Sequence, residues 1–160
     1  MARESEAPAQ VSSPRRPLAW SLLISLRPRQ WTKNGLLFLG LIFSLSLYDS
    51  GLVLRSIAAF ADFCILASAT YLINDVLDLD RDRLHPIKRM RPVASGQITP
   101  FTALLASALL LVAGLALAAS LGTAFAIAAL LYLLITIAYS LWLKNVAIVD
   151  LLVVAAGFVL

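Results

Sequence analysis

Charge is scarce in this sequence. Only 14% of its 160 residues are Asp, Glu, Lys or Arg, against 61% hydrophobic, where a soluble chain carries about 25% charged residues. Residues 92–143 contain no charged side chain at all. A helix needs about 20 apolar residues to cross the hydrocarbon core, so this window of roughly 50 accommodates two spans. The helices of a soluble domain would instead show water a polar face. The mean hydropathy of +0.89 agrees. A water-soluble core is excluded.

Cysteine is nearly absent. The single Cys64 excludes an internal disulfide and says nothing of redox compartment. Set in an apolar stretch, it reads as a small buried hydrophobe. Residues 1–26 do not read as a secretory leader, because residues 18–26 run straight into Arg27, Arg29 and Lys33 with no small-residue cleavage site. No internal repeat is present. The net charge of +4 does not indicate a nucleic-acid partner. The basic residues lie between hydrophobic segments, where they set orientation and meet lipid or ligand phosphates.

What is present alternates between apolar runs and charged breaks. Residues 1–16, polar with Pro, Ser and mixed charge, read as a disordered cytoplasmic tail. Residues 17–160 read as the N-terminal part of a transmembrane domain. A first span is centred on residues 35–48 and begins near Leu18, with Arg27, Arg29 and Lys33 facing a cavity or snorkelling to the interface. The second runs from about Leu52 to Asp82. A loop over residues 84–100, rich in proline, leads to a third span at about 101–119. The uncharged turn of residues 120–123 precedes a fourth span at about 124–143. Lys144 and Asn145 then interrupt the pattern, and a fifth apolar segment runs from Val146 to Leu160. Its ~15 residues reach only about 22 Å of a ~30 Å core. The expectation is the N-terminal portion of a longer protein, or a truncated product.

The loops predict an orientation. Arg15, Arg16, Arg27, Arg29 and Lys33 precede or open the first span. Arg81, Arg83, Lys88, Arg89 and Arg91 separate the second from the third, and Lys144 separates the fourth from the fifth. The loops of the opposite side hold Asp49 and Arg55 in one case and no charge in the other. The positive-inside rule makes the basic side cytoplasmic, with the N-terminus inside. Trp20, Trp31 and Trp142 suit the interfacial aromatic belt.

The candidate chemistry lies in residues 74–83, Asn-Asp-Val-Leu-Asp-Leu-Asp-Arg-Asp-Arg. At ~100° per residue, Asp75, Asp78 and Asp82 fall within about 60° of one another on a helix. Asn74 lies at the edge of that stripe, and Asp80 points away as a solvated charge. Three carboxylates on one face repel, more so where the dielectric is low, and a cation relieves them. Hard oxygen ligands at this density suit Mg²⁺, which is commonly held by a few carboxylates, substrate phosphates and water. Arg81, Arg83, Lys88, Arg89 and Arg91 stand ready to neutralise phosphate. His85 reads as a loop residue. Asp62, inside the second span, is an intramembrane carboxylate expected to face a cavity or a partner. Tyr139 and Lys144 close the fourth span on the same side, and Asp150 lies early in the fifth segment.

These residues resemble a known family. Asn74-Asp75-x-x-Asp78-x-x-x-Asp82-Arg83 is similar to the first aspartate-rich motif of the UbiA superfamily of intramembrane prenyltransferases. Arg91-Pro92-Val93-Ala94-Ser95-Gly96 matches the segment that follows it there, and Tyr139-Ser140-Leu141-Trp142-Leu143-Lys144 resembles a third element. Residues 26–34, Leu-Arg-Pro-Arg-Gln-Trp-Thr-Lys-Asn, look most like the decaprenyl-phosphate phosphoribosyltransferase branch. Asp150 with residues 155–160 resembles that branch too.

The resemblance implies an all-α polytopic transmembrane bundle of about nine helices, with about five of them in this chain. It implies a central cavity open sideways to lipid and a second aspartate-rich motif further along. It implies that Asp75, Asp78 and Asp82 are catalytic residues that bind Mg²⁺ bridging to a diphosphate. Lys33, Asn74, Arg83, Lys88, Arg91, Tyr139 and Lys144 are then the substrate-binding residues. The implied reaction transfers 5-phosphoribosyl from phosphoribosyl diphosphate to a polyprenyl (decaprenyl) phosphate for cell-wall arabinan, with the active site on the cytoplasmic side of the plasma or inner membrane. Partners are that lipid, the diphosphate-bearing donor and the bilayer, with a homo-oligomer left open. Half a site on 160 residues is expected to be inactive alone. Other readings are an aromatic prenyltransferase joining an isoprenyl diphosphate to a ring such as 4-hydroxybenzoate, and a non-enzymatic cation transporter or scaffold.

Overall fold

The protein is described here by a computed structural model over residues 16–141. Almost all of the expected tail, with Trp142, Lys144, Asp150 and the fifth apolar segment, lies outside the described residues. Among the described residues every regular element is helical. In order they are α1 (Leu18–Ser25), a 3-10 segment (Pro28–Leu37), α2 (Phe38–Phe43), α3 (Ser50–Leu77), α4 (Leu79–Leu84), a 3-10 turn (Lys88–Met90), α5 (Pro100–Leu121) and α6 (Thr123–Leu141). Three of them, α3, α5 and α6, are long and apolar enough to cross a bilayer, at 28, 22 and 19 residues.

Local chemistry explains where these helices begin and end. The Asp49 carboxylate accepts from the N–H groups of Gly51 (2.9 Å) and Leu52 (3.0 Å), satisfying donors that the first turn of α3 leaves free. Thr99 Oγ1 accepts from Thr102 N at 3.1 Å, and Pro100 starts α5 where its missing N–H is not needed. The α5–α6 turn falls where the uncharged residues 120–123 place it. Gly122 sits at φ 127°, a conformation open to glycine and strained for other residues. Arg55 Nη2 reaches across to donate to the carbonyl of Leu121, 2.7 Å away.

Two expectations about the spans are corrected. The first span is not one helix from Leu18 to Tyr48. The chain breaks after Ser25, and Arg27 takes a left-handed conformation (φ 55°, ψ 58°). Pro28 follows, and its ring crowds the right-handed helical conformation at the residue before it. The path then runs as 3-10 helix and the short α2, so none of these three pieces alone spans a bilayer. The second span also ends early. α3 stops at Leu77, and Asp78 (φ −95°, ψ 8°) is the joint from which α4 departs. The three carboxylates therefore do not share one continuous helical face.

The bundle is held by close contact of small residues. On α5, Ala103, Ser107, Gly114 and Ala118 are buried and recur at helical spacing along one stripe. Much of the remaining apolar surface, including Leu105, Leu109 and Val112, is exposed where lipid would lie. A Cβ at Gly114 would sit 2.4 Å from Leu66 Cδ2, so any larger residue there would have to displace the buried Leu66 side chain. Ser107 Oγ donates to the carbonyl of Ala69 at 2.9 Å, a polar tie between the same helices. Leu66, Ala118, Ala129 and Leu133 form one core cluster. Leu72, Val93, Ile98 and Ala103 form another, which seats the loop beneath α5 against α3.

Candidate active site

The charged site assembles from three chain segments. Asp75, on the last full turn of α3, is 2% exposed and forms an ion pair with Arg27. Arg91, in the loop after the 3-10 turn, lies 3.3 Å from the same Asp75 oxygen and 2.6 Å from Asp82 Oδ2. Asp82 is itself buried on α4. One guanidinium thus bridges two carboxylates, and a second covers the first of them. Charge-assisted contacts of this kind are the stronger class of hydrogen bond. They allow two buried carboxylates to remain side by side, where unpaired charges would be expelled or neutralised.

Arg27 owes its place to the chain break. A left-handed non-glycine residue costs about 1–3 kcal/mol. Here the break brings the guanidinium 4.8 Å from the centre of the Tyr71 ring, one turn before Asp75, as well as onto Asp75 itself. A cation over an aromatic face is attracted to it. The pair joins residues 48 apart in sequence. Charge within an apolar stretch was the signal that Arg27 faces a cavity, but nothing in its spacing named Asp75 as its partner.

Arg27, Asp75 and Arg91 open onto a recess of about 300 Å³, walled by Ile24, Ser25, Ile87, Met90 and Pro92. A more apolar cavity of about 280 Å³ lies along α3 on the far side of the break, lined by Leu26, Trp31, Phe60, Ala61, Cys64, Ile65, Ser68 and Leu110. Trp31 is anchored there by donating Nε1–H to Ser68 Oγ at 3.1 Å. Its indole is half-buried against α3. Cys64 is buried, with the Asn34 amide 3.4 Å from its sulfur.

The other predicted residues are distributed as follows. Asp78 is the half-buried joint between α3 and α4. Asn74 faces a third cavity, of about 190 Å³, with Thr70, Thr136 and Ser140. Its Oδ1 is buried without a hydrogen-bond partner among the described residues. Tyr139 is half-buried in the last turn of α6, and Lys33, Arg83 and Lys88 are exposed. Asp80 is 97% exposed, and its oxygen lies 3.9 Å from Arg83. His85 is a turn residue whose Nδ1 accepts from the N–H groups of Ile87 and Lys88. Asp62 is fully buried in the middle of α3, and neither carboxylate oxygen has a hydrogen-bond partner among the described residues.

The sequence profile of the UbiA prenyltransferase family matches residues 35–160. The chain belongs to that family. Among similar proteins, an uncharacterized protein y4nM of Sinorhizobium fredii is 41% identical over 138 residues, 86% of this chain and 27% of its own length. A decaprenyl-phosphate phosphoribosyltransferase of Mycolicibacterium smegmatis is 37% identical over 160 residues, 98% of this chain and 50% of that protein. The nodulation protein NoeC of Azorhizobium caulinodans is 35% identical over 134 residues, 81% of this chain and 42% of its own. The chain thus spans half or less of the length of these relatives.

Family membership and three bilayer-length apolar helices make this an integral membrane protein. Enzymes of the UbiA family generally use a divalent metal. The donors near the joint at Asp78 are of the right kind, since carboxylates and a buried amide oxygen are hard ligands. Among the described residues, however, no group of three or more acidic, His or Cys side chains is gathered closely enough to hold a metal ion. Arg27 and Arg91 stand on the buried carboxylates instead. The donor chemistry fits a hard divalent cation, with the arginines supplying the balancing charge in this arrangement.

Proposed function

We propose that this chain carries half of the site of a membrane-embedded transferase that moves 5-phosphoribosyl from phosphoribosyl diphosphate to a polyprenyl phosphate such as decaprenyl phosphate. The product would serve cell-wall arabinan synthesis. The observation that carries the reading is the recess itself. Two guanidinium groups and two buried carboxylates of the aspartate-rich segment meet at the end of a membrane-spanning helix. The 37% identity to a decaprenyl-phosphate phosphoribosyltransferase along nearly the whole chain supports this choice of donor and acceptor.

In this reaction an oxygen of the lipid phosphate attacks the anomeric carbon of the ribose. The bond from that carbon to the diphosphate oxygen breaks, and diphosphate leaves with the electron pair. A divalent cation, Mg²⁺ in this reading, would be held by Asp75, Asp78 and Asp82 with help from Asn74, and would offset the leaving charge. Arg27 and Arg91 are placed to contact phosphate oxygens, and fixed donors aimed at developing charge are an effective form of catalysis. Lys33, Arg83, Lys88, Tyr139 and Lys144 complete the proposed substrate contacts. The concentration of basic residues at this end of the spans supports a cytoplasmic site and an inside N-terminus.

The test is direct. Membranes containing the full-length protein, of which this chain carries half of the site, should form phosphoribosylated lipid when given Mg²⁺, phosphoribosyl diphosphate and labelled polyprenyl phosphate. Asp78→Asn should abolish that product while membrane insertion persists. Product formed only from an isoprenyl diphosphate and a ring such as 4-hydroxybenzoate would assign the protein to aromatic prenyl transfer instead.

A further inference from the structure

The segment between α4 and α5 presents apolar side chains to the outside, beside the charged recess. Leu84, Ile87 and Met90 are 88%, 75% and 74% exposed, three large apolar side chains spaced three residues apart. They lie past the end of one span at Leu77 and before the start of the next at Pro100. Arg83, Lys88 and Arg89 stand exposed among them. The acid on the same surface is Asp80, held loosely by Arg83, whereas Asp82 is buried under Arg91. The exposed surface is therefore apolar tips interleaved with net positive charge. Segments with that composition bury their apolar side chains at the headgroup–acyl boundary and place their cations on anionic lipid phosphates.

We propose that residues 84–90 dock into the headgroup layer of an anionic bilayer. Leu84, Ile87 and Met90 enter the acyl boundary, and Lys88 and Arg89 meet lipid phosphates. Ile87 and Met90 also wall the recess that holds Arg27 and Asp75, so docking sets the mouth of that recess at the bilayer surface. A phosphate carried on a lipid then reaches the guanidinium groups without leaving the interface. This last consequence rests on the proposed transferase reading; the docking does not, and its test needs no substrate.

The experiment uses the protein with Cys64→Ser and Ile87→Cys, labelled with the environment-sensitive fluorophore NBD. Met90→Cys serves as a second probe position. Each is placed in nanodiscs of phosphatidylcholine with or without phosphatidylglycerol. Docking predicts blue-shifted emission, quenching by a lipid carrying a doxyl group high on its acyl chain, and protection from aqueous iodide that grows with the anionic fraction. Adding Lys88→Gln and Arg89→Gln should raise several-fold the anionic fraction needed for half-maximal protection. Iodide quenching that ignores lipid charge would overturn the proposal. So would protection from iodide and doxyl lipid alike, which would mean that protein covers the segment.

Discussion

Replacing Arg91 by Met keeps most of its aliphatic stem and removes the cation that joins Asp75 to Asp82. Asp75 retains Arg27, but Asp82 loses the partner 2.6 Å from its Oδ2. Breaking a buried ion pair from one side costs about 3–5 kcal/mol. Arg91 is 29% exposed, so water partly replaces it, and a loss of about 2–4 kcal/mol is the expected range. Asp82→Asn removes the charge that suffers, so the two substitutions should not add. The double variant should be more stable than the sum of the single losses by about 1–2 kcal/mol. Arg83→Met is the control. Its carboxylate neighbour lies 3.9 Å away and is almost fully exposed, and exposed pairs of this kind contribute little. Thermal unfolding of the four variants and the parent protein in one detergent, followed by circular dichroism, gives the comparison. Strict additivity of Arg91→Met and Asp82→Asn, or an Arg83→Met loss as large as that of Arg91→Met, would refute the bridging role.

Gly114→Ala forces a methyl into Leu66, and overpacking of this kind costs about 1–3 kcal/mol, more than the roughly 1 kcal/mol that alanine gains over glycine in a helix. Gly114→Ala should therefore lower the unfolding temperature, and the loss should shrink when Leu66→Ala is also present. Asp62→Asn removes a buried carboxylate that has no partner among the described residues, so unfolding should be unchanged or moved upward by about 1 kcal/mol. A clear loss would mean that the carboxylate has a partner in the assembled protein. In the full-length protein, removing divalent cations with a chelator should stop the proposed phosphoribosyl transfer and leave the unfolding temperature nearly constant, because Arg27 and Arg91 already hold the buried carboxylates. Transfer that persists in chelator would remove the cation from the proposal.

Much of the bundle is legible from composition. The uncharged window predicts α5 and α6 and the turn between them, because in lipid a helix needs only length and apolarity, and a glycine between two such runs ends one. The first span is different. Its apolar runs suggest one helix, yet Arg27-Pro28 breaks it. That dipeptide is a local signal against continuation, but an apolar run on either side looks the same whether the chain passes straight through or turns. The joint at Asp78 has no comparable signal. The spacing of Asp75, Asp78 and Asp82 is that of a helical stripe whether or not the helix continues.

The sequence by itself determined that the chain is helical and membrane-embedded, and that its aspartates and arginines crowd one end of the spans. Hydrophobic length and charge distribution act locally along the chain, so they can be read there. Only the tertiary structure decided that Arg27 stands on Asp75 and that Arg91 bridges Asp75 to Asp82. The reason is physical. Several cations of equal charge lie within reach of those acids, and which one pairs depends on where backbone breaks and close helix packing carry residues far apart in sequence.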